Sequence, residues 1–340
     1  MLAVLGLFFL APISAEYLLG YDDIIGRPWE LVFGLLIFGP LYGAPALLIR
    51  ETARRAGRGW PTILTLSFAA GLIQAGLIDQ SLFNPDYRGI PYWADLREPS
   101  YLPGLGFSAY MLLGFVGGHM IQSFAAPIAI VESLSSDLGR RPWLRWPGLV
   151  IMALLYLAAA SFVLADQAKT EGFVASGPQL VGSAIVVVGL VIAAFAVPSR
   201  DRAAPGHPPT PLVVGLVAVT SLAIKGLMPT SWPGVVVHLT VLVVLGILVW
   251  RWSARPGWGA HHVLALAAAP LLVNAAMAFW TEPLGDPRPV VKYAVNAVLA
   301  TGVILLLVAA ARSLGWRPSN RPGTISGTGT SDPGAPAPRS

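Results

Sequence analysis

The sequence predicts an all-α fold, a polytopic bundle of about ten transmembrane helices, and three observations carry that expectation. Only 11% of the residues are charged and 55% are hydrophobic, whereas about a quarter of an ordinary soluble domain is charged. The mean hydropathy is +0.67. So few charges cannot cover a soluble core of 340 residues, but lipid needs no such cover. The apolar residues are gathered into ten runs, each near the roughly 20 residues that cross about 30 Å of hydrocarbon. Finally, Lys and Arg alternate from one inter-run gap to the next, as they do when loops face opposite sides of a membrane.

The runs cover residues 2–19, 29–49, 60–82, 107–131 and 147–165, then 179–197, 211–228, 232–250, 262–281 and 290–311. The first resembles a leader peptide with Ala11-Pro-Ile-Ser-Ala15 as a cleavage site. No Lys or Arg precedes it, and bulky Ile13 occupies a position that wants a small residue, so it reads as a span. The sequence leaves open a start upstream of Met1. With the N-terminus inside, the inner gaps and the C-terminal end carry Arg50, Arg54, Arg55, Arg58, Arg140, Arg141, Arg145, Arg200, Arg202, Arg251, Arg255, Arg312, Arg317 and Arg321. The outer gaps hold Arg27, Arg88, Arg97, Lys169 and Arg288, together with most of the loop carboxylates. This imbalance places both termini on the cytoplasmic side of a bacterial inner (plasma) membrane. The eleven tryptophans fall at or just beyond run ends, where indole prefers the headgroup level.

One transmembrane domain is therefore expected over 1–315. Polar residues concentrate in spans 1–4 (within 1–135), and spans 5–10 (within 146–311) are blander. Residues 316–340 are rich in Pro, Gly, Ser and Thr, which predicts a disordered cytoplasmic tail. The net charge of +5 does not point to nucleic acid, because the basic residues are dispersed through short loops. With no cysteine, disulfides, thiolate metal sites and cysteine nucleophiles are excluded.

An ionisable side chain in hydrocarbon costs a few kcal/mol or more, so it usually faces the bundle interior and often has a role. The candidates for a polar cavity are Glu16 on span 1, Gln74 and Asp79 on span 3, and His119, Gln122 and Ser123 on span 4. On an α-helix His119, Gln122, Ser123 and Ala126 share a face, whereas Asp79 points well away from Gln74. Gly39-xxx-Gly43 and Gly114-xxx-Gly118 offer close approach to neighbouring backbones. Pro40, Pro45 and Pro127 interrupt the helical ladder. Glu51 with Arg54 and Arg55 reads as a surface ion-pair ladder. In the later spans Asn274 and Asn296 are placed to bond each other, and Lys225 and Lys292 to snorkel outward. Neighbouring His261 and His262 have a poor spacing for two metal ligands on one helix face.

Soluble-enzyme motifs are missing: no P-loop, no HExxH, no GxSxG and no zinc-finger spacing. Gly104-Leu-Gly106-Phe-Ser-Ala109 matches a dinucleotide fingerprint only formally, since no strand precedes it within a βαβ unit. No catalytic set, metal or cofactor is expected.

The stretches 11–20, 71–85 and 118–132, with Glu16, Gln74, Asp79, Asn84, His119 and Glu132, resemble uncharacterised multi-pass membrane proteins of high-GC bacteria. A fainter resemblance is to CPBP-type intramembrane proteases, which implies a Glu-Glu-x-x-x-Arg motif and helix-borne histidines. Here Gln74-Ala75 stands where the glutamate pair would fall, so a hydrolase of that descent would be degenerate. The leading expectation is a transporter-like protein with a polar cavity in spans 1–4. Its partners are the bilayer and a small-molecule, ion or lipid substrate. A non-catalytic scaffold is the alternative, and the degenerate hydrolase a further one.

Overall fold

The computed structural model describes residues 1–196 and 204–315. Over these residues the chain is an all-α polytopic bundle. Eight helices are long and apolar enough to cross a membrane: Pro28–Arg55, Trp60–Ile78, Ala109–Leu134, Trp146–Thr170, Gly177–Ala196, Trp232–Trp252, Ala260–Met277 and Pro289–Gly315. Two shorter apolar helices, Leu2–Tyr17 and Pro211–Leu227, fill the remaining places in the series. In chain order these ten are spans 1 to 10. The expected tail at 316–340 lies outside the described residues, as do Arg200 and Arg202.

Helix starts follow local chemistry. Proline occupies the first turn of spans 2, 3, 5, 7 and 8, where a missing N–H costs nothing. The Thr210 hydroxyl accepts from Val213 N–H at the start of span 7, and Ser108 accepts from Met111 N–H at the start of span 4. The single piece of sheet among the described residues is a two-stranded hairpin, β1 (Tyr101–Leu102) and β2 (Phe107–Ser108), just before span 4. Its turn holds the Gly104–Gly106 pair, so the dinucleotide fingerprint lies in a hairpin and has no βαβ context.

Packing divides the spans into two groups. Half or more of the best 18-residue window is buried in spans 2, 3 and 4, but only 6% and 11% in spans 5 and 6. Span 4 lies centrally, touching spans 1, 3, 9 and 10. Span 2 packs on spans 1 and 5, span 3 on span 6, and span 7 on spans 8 and 9. The contact of spans 1 and 2 is made by the expected small-residue groove: a Cβ on Gly43 would lie 2.1 Å from Phe8 O, and one on Gly39 would lie 2.5 Å from the Phe8 ring. Gly71 on span 3 plays the same part against Val116 O of span 4, at 2.7 Å. The expectation for Gly114 and Gly118 fails. A Cβ at either meets nothing within 4 Å, so no neighbouring backbone fills that side of span 4.

The tryptophans are mixed. Trp29, Trp146 and Trp280 are largely exposed, as interfacial anchors should be. Trp93 is not an anchor. It is buried, its indole N–H donates to Asn84 O at 2.9 Å, and it packs between Tyr87 and Phe115.

Candidate functional site

Five π-helical turns occur in the described residues, and all lie in spans 1–4: Ile13–Tyr17, Gly39–Gly43, Gln74–Ile78, Leu112–Val116 and His119–Ala125. A π-turn replaces i→i−4 bonds by i→i−5 bonds and is rare enough that its position usually has a reason. Proline supplies part of that reason. Pro12 precedes the first turn, Pro40 lies within the second and Pro45 just after it, and Pro127 follows the last. Each lacks the N–H that a regular ladder requires at its position, and the register shift absorbs the loss. The turns at Gln74–Ile78 and Leu112–Val116 have no proline in or beside them.

These turns carry the candidate residues. Glu16 is within the first, and its carboxylate accepts from the Tyr21 hydroxyl at 2.6 Å and faces the Tyr42 hydroxyl from the second. The Tyr42 ring stacks on His119, centroids 5.6 Å apart. His119 Nδ1 pairs with Ser123 Oγ at 3.0 Å, one turn along span 4. Gln74 faces the Asp79 carboxyl, which caps the Ser81 N–H at 2.9 Å and lies within electrostatic reach of Glu16. The Ile13–Tyr17 and Gly39–Gly43 turns both touch His119–Ala125. Glu16, Tyr42, Gln74, Asp79, His119 and Ser123 therefore form one polar cluster, drawn from four helices. Gln74 and Ser123 are buried, and Glu16, Asp79 and His119 half-buried.

Two placements differ from those expected of regular α-helices, and the π-turns explain both. Asp79 N–H bonds to Gln74 O at 3.0 Å, an i→i−5 closure that brings the fifth residue back over the first. Asp79 consequently faces the Gln74 amide instead of pointing away. On span 4 the wider turn keeps His119 and Ser123 together but rotates Gln122 out of their stripe. Gln122 Nε2 donates to Asn274 Oδ1 on span 9 at 3.1 Å. Asn274 thus bonds Gln122 and not Asn296, which donates to Ala278 O at 2.8 Å and sits beside Gly20.

Each end of the cluster is bounded by an ion pair or network. At one end the segment between spans 3 and 4 folds back, and Arg88 bridges to Asp22 at 3.0 Å. Burial works to raise the Asp22 carboxyl. Hydrogen bonds from Asp23 and the Ile24 N–H, together with the Arg88 guanidinium, outweigh it and hold Asp22 below the usual carboxylate range. Tyr87, in the same segment, is pushed above the ordinary phenol range by burial and by the Asp79 charge. Gln80 has φ 53 and Arg88 φ 56, left-handed conformations that side chains rarely adopt. Gln80 is held there by its amide oxygen, which accepts from the buried Ala175 N–H at 2.7 Å.

At the other end lies a buried network that sequence reading misplaced on the surface. Arg50 and Glu51 are fully buried. Arg50 Nη1 donates to Glu51 at 2.6 Å, Arg50 Nε to Glu132 at 3.1 Å, and Arg54 Nη2 to Glu132 at 2.6 Å. Glu51 also accepts from the Trp143 and Leu144 N–H groups, and the Arg50 guanidinium lies 3.5 Å above the Trp143 ring. The i to i+4 contact of Glu51 with Arg55 exists, at 3.5 Å, but as the edge of this network. Glu132, 82 residues from Arg50 in the chain, is the partner that periodicity could not supply. Its only sequence signal was an ionisable residue near the end of an apolar run.

Among the described residues no three His, Asp or Glu side chains come together to hold a metal ion. His119 has no second histidine beside it: His262 bonds Pro209 O and Gly259 N–H, and His238 lines a separate groove.

Ten apolar helices, with carboxyl, imidazole, amide and hydroxyl groups turned inward on four of them, define a multi-pass integral membrane protein. The chain belongs to an uncharacterised membrane protein family, whose family model it matches over residues 5–324. No curated protein matches the chain, and no solved structure does.

Proposed function

We propose that this protein is transporter-like and passes a small polar solute or ion through the cluster in spans 1–4. The bilayer it occupies is read as a bacterial inner membrane, with both termini cytoplasmic. The observation that carries the proposal is the coincidence of π-turns with polar residues on four spans, between an Asp22–Arg88 bridge at one end and the Arg50–Glu51–Arg54–Glu132 network at the other. Broken helices near mid-membrane are where transporters commonly build their sites, because freed backbone groups can serve a ligand. The carboxyls of Glu16 and Asp79 face hydroxyl and amide groups, while Arg88 is engaged by Asp22. This balance suits a cation or a donor-rich solute better than an anion. A hydrolase would need a second histidine or a metal-binding set at His119, and a scaffold would need no polar cluster at all.

The absence of cysteine makes the test direct, because single-cysteine variants need no engineered background. Ser123→Cys and Gln74→Cys are to be treated in membranes with a membrane-impermeant thiol reagent. A solute path predicts labelling of both, and slower labelling at saturating concentrations of any transported solute. Complete resistance at both positions would mean a dry interior and would leave the scaffold reading. Reporters fused after Arg58 and after Arg255 should appear on the same, cytoplasmic, face; opposite faces would overturn the threading.

A further inference from the structure

We propose that a groove bounded by spans 3, 4, 7, 8 and 9 binds one tail of an anionic membrane phospholipid, with the headgroup phosphate on Lys225. The groove encloses about 470 Å³ and is walled mainly by apolar side chains, among them Leu64, Ile121, Leu242 and Leu245. Lys225 is its charged lining residue, half-buried at the last turn of span 7, with the His238 imidazole on the facing span 8. Lys225 has no ion-pair partner among the described residues.

The groove follows span 8 for most of its length, from His238 to Trp250. His238 and Trp250 both line the groove and are twelve residues apart on span 8, which is about 18 Å at the rise of an α-helix. A slot of that length takes a whole acyl tail, since two tails end to end span a core of about 30 Å. Trp60, Trp250 and Trp258 close the end remote from Lys225. A slot at least as long as one tail, mainly apolar and cationic at one end, complements an acyl tail carrying an anionic head. Gly246 lies on the wall, and a Cβ built there meets nothing within 4 Å, so the space beside it is unfilled by protein. A lysine in such a wall is stabilised by an anion more than by apolar packing. This site lies across span 4 from the His119 cluster and does not depend on the solute path.

The test is native mass spectrometry of the full-length protein in detergent, with phosphatidylglycerol and phosphatidylcholine of identical chains supplied at equal concentration. Wild type should retain phosphatidylglycerol preferentially. Lys225→Gln should weaken that retention about fivefold, which is about 1 kcal/mol, and Lys225→Arg should preserve it. Gly246→Phe fills the slot while leaving Lys225 in place and should abolish retention. Equal retention of the two lipids by wild type would overturn the proposal. So would unchanged binding by Gly246→Phe, which would mean headgroup attraction at the surface, or a dimer in place of a lipid adduct.

Discussion

Spans 3 and 5 show how two membrane-spanning helices can serve opposite ends. Span 3 has the lower hydropathy, 1.6 against 2.4, yet two thirds of its best window is buried in protein, whereas 6% of span 5 is. The same contrast separates spans 1–4 from most of spans 5–10. The first group gives up hydropathy for prolines, glycines, carboxyls and π-turns, and each of these is costly in lipid unless another helix satisfies it. The second group keeps regular ladders and turns Val, Leu and Ile outward, as at Val186, Ile192 and Leu305. Spans 5, 6, 8 and 10 thus act as an apolar collar that lets an irregular interior exist. Span 9 is intermediate: 44% of its window is buried, and its Asn274 is tied to Gln122.

The contrast can be broken most sharply at glycines. Gly43→Val forces a side chain into Phe8 O and should separate spans 1 and 2, costing about 5 kcal/mol or more. The readout is loss of monodisperse protein in detergent, and normal yield with an unchanged melting temperature would refute the packing described. Next in size is Glu132→Gln. It leaves the buried Arg50 and Arg54 without their shared carboxylate and should cost about 3–5 kcal/mol. Thermal unfolding in detergent measures it. A change below about 1 kcal/mol would mean water reaches the network and screens it.

A smaller effect is expected at the opposite end. Arg88→Ala removes the bridge to Asp22, whose guanidinium side is about one third exposed, so the loss should be about 1 kcal/mol or less. It carries a pH signature. Because Asp22 is held below its ordinary value in the folded protein, its stabilisation is present above the unfolded pKa of about 3.9 and is lost as pH falls below it. Wild type should therefore lose stability relative to Arg88→Ala as pH falls below about 4, and parallel curves would remove the bridge from the account. The smallest effect belongs to the collar. Gly189→Ala on span 6 meets open space and should change stability by no more than about 1 kcal/mol, in the favourable direction if at all. A large loss there would show that span 6 is packed against a partner, and the division into core and collar would need redrawing.

The site was half legible. Glu16, Gln74, Asp79, His119 and Ser123 stand out as polar residues in apolar runs, and the structure gathers them. Tyr42, which joins Glu16 to His119, gave little signal, since tyrosine in a span is more often an interfacial residue. The Arg50 network was misread because Glu51, Arg54 and Arg55 fit an i to i+4 ladder on their own, and nothing local indicates that Glu132 arrives from span 4. The directions of Asp79 and Gln122 were misjudged for one reason: a face computed at 3.6 residues per turn is wrong after a π-turn.

Ten apolar helices, their order and their starts to within two residues were decided by the sequence alone, whereas several C-terminal ends lie three to six residues from those expected. Transfer between water and lipid is a property of each side chain, summed over a window, and every backbone in hydrocarbon must close its own hydrogen bonds as a helix. Which faces meet was decided only by the tertiary structure. Neighbouring spans are not fixed by hydropathy, since lipid and leucine are equally apolar. The polar cluster arises where small residues let spans 1, 2, 3 and 4 approach and where π-turns rotate their side chains toward one another.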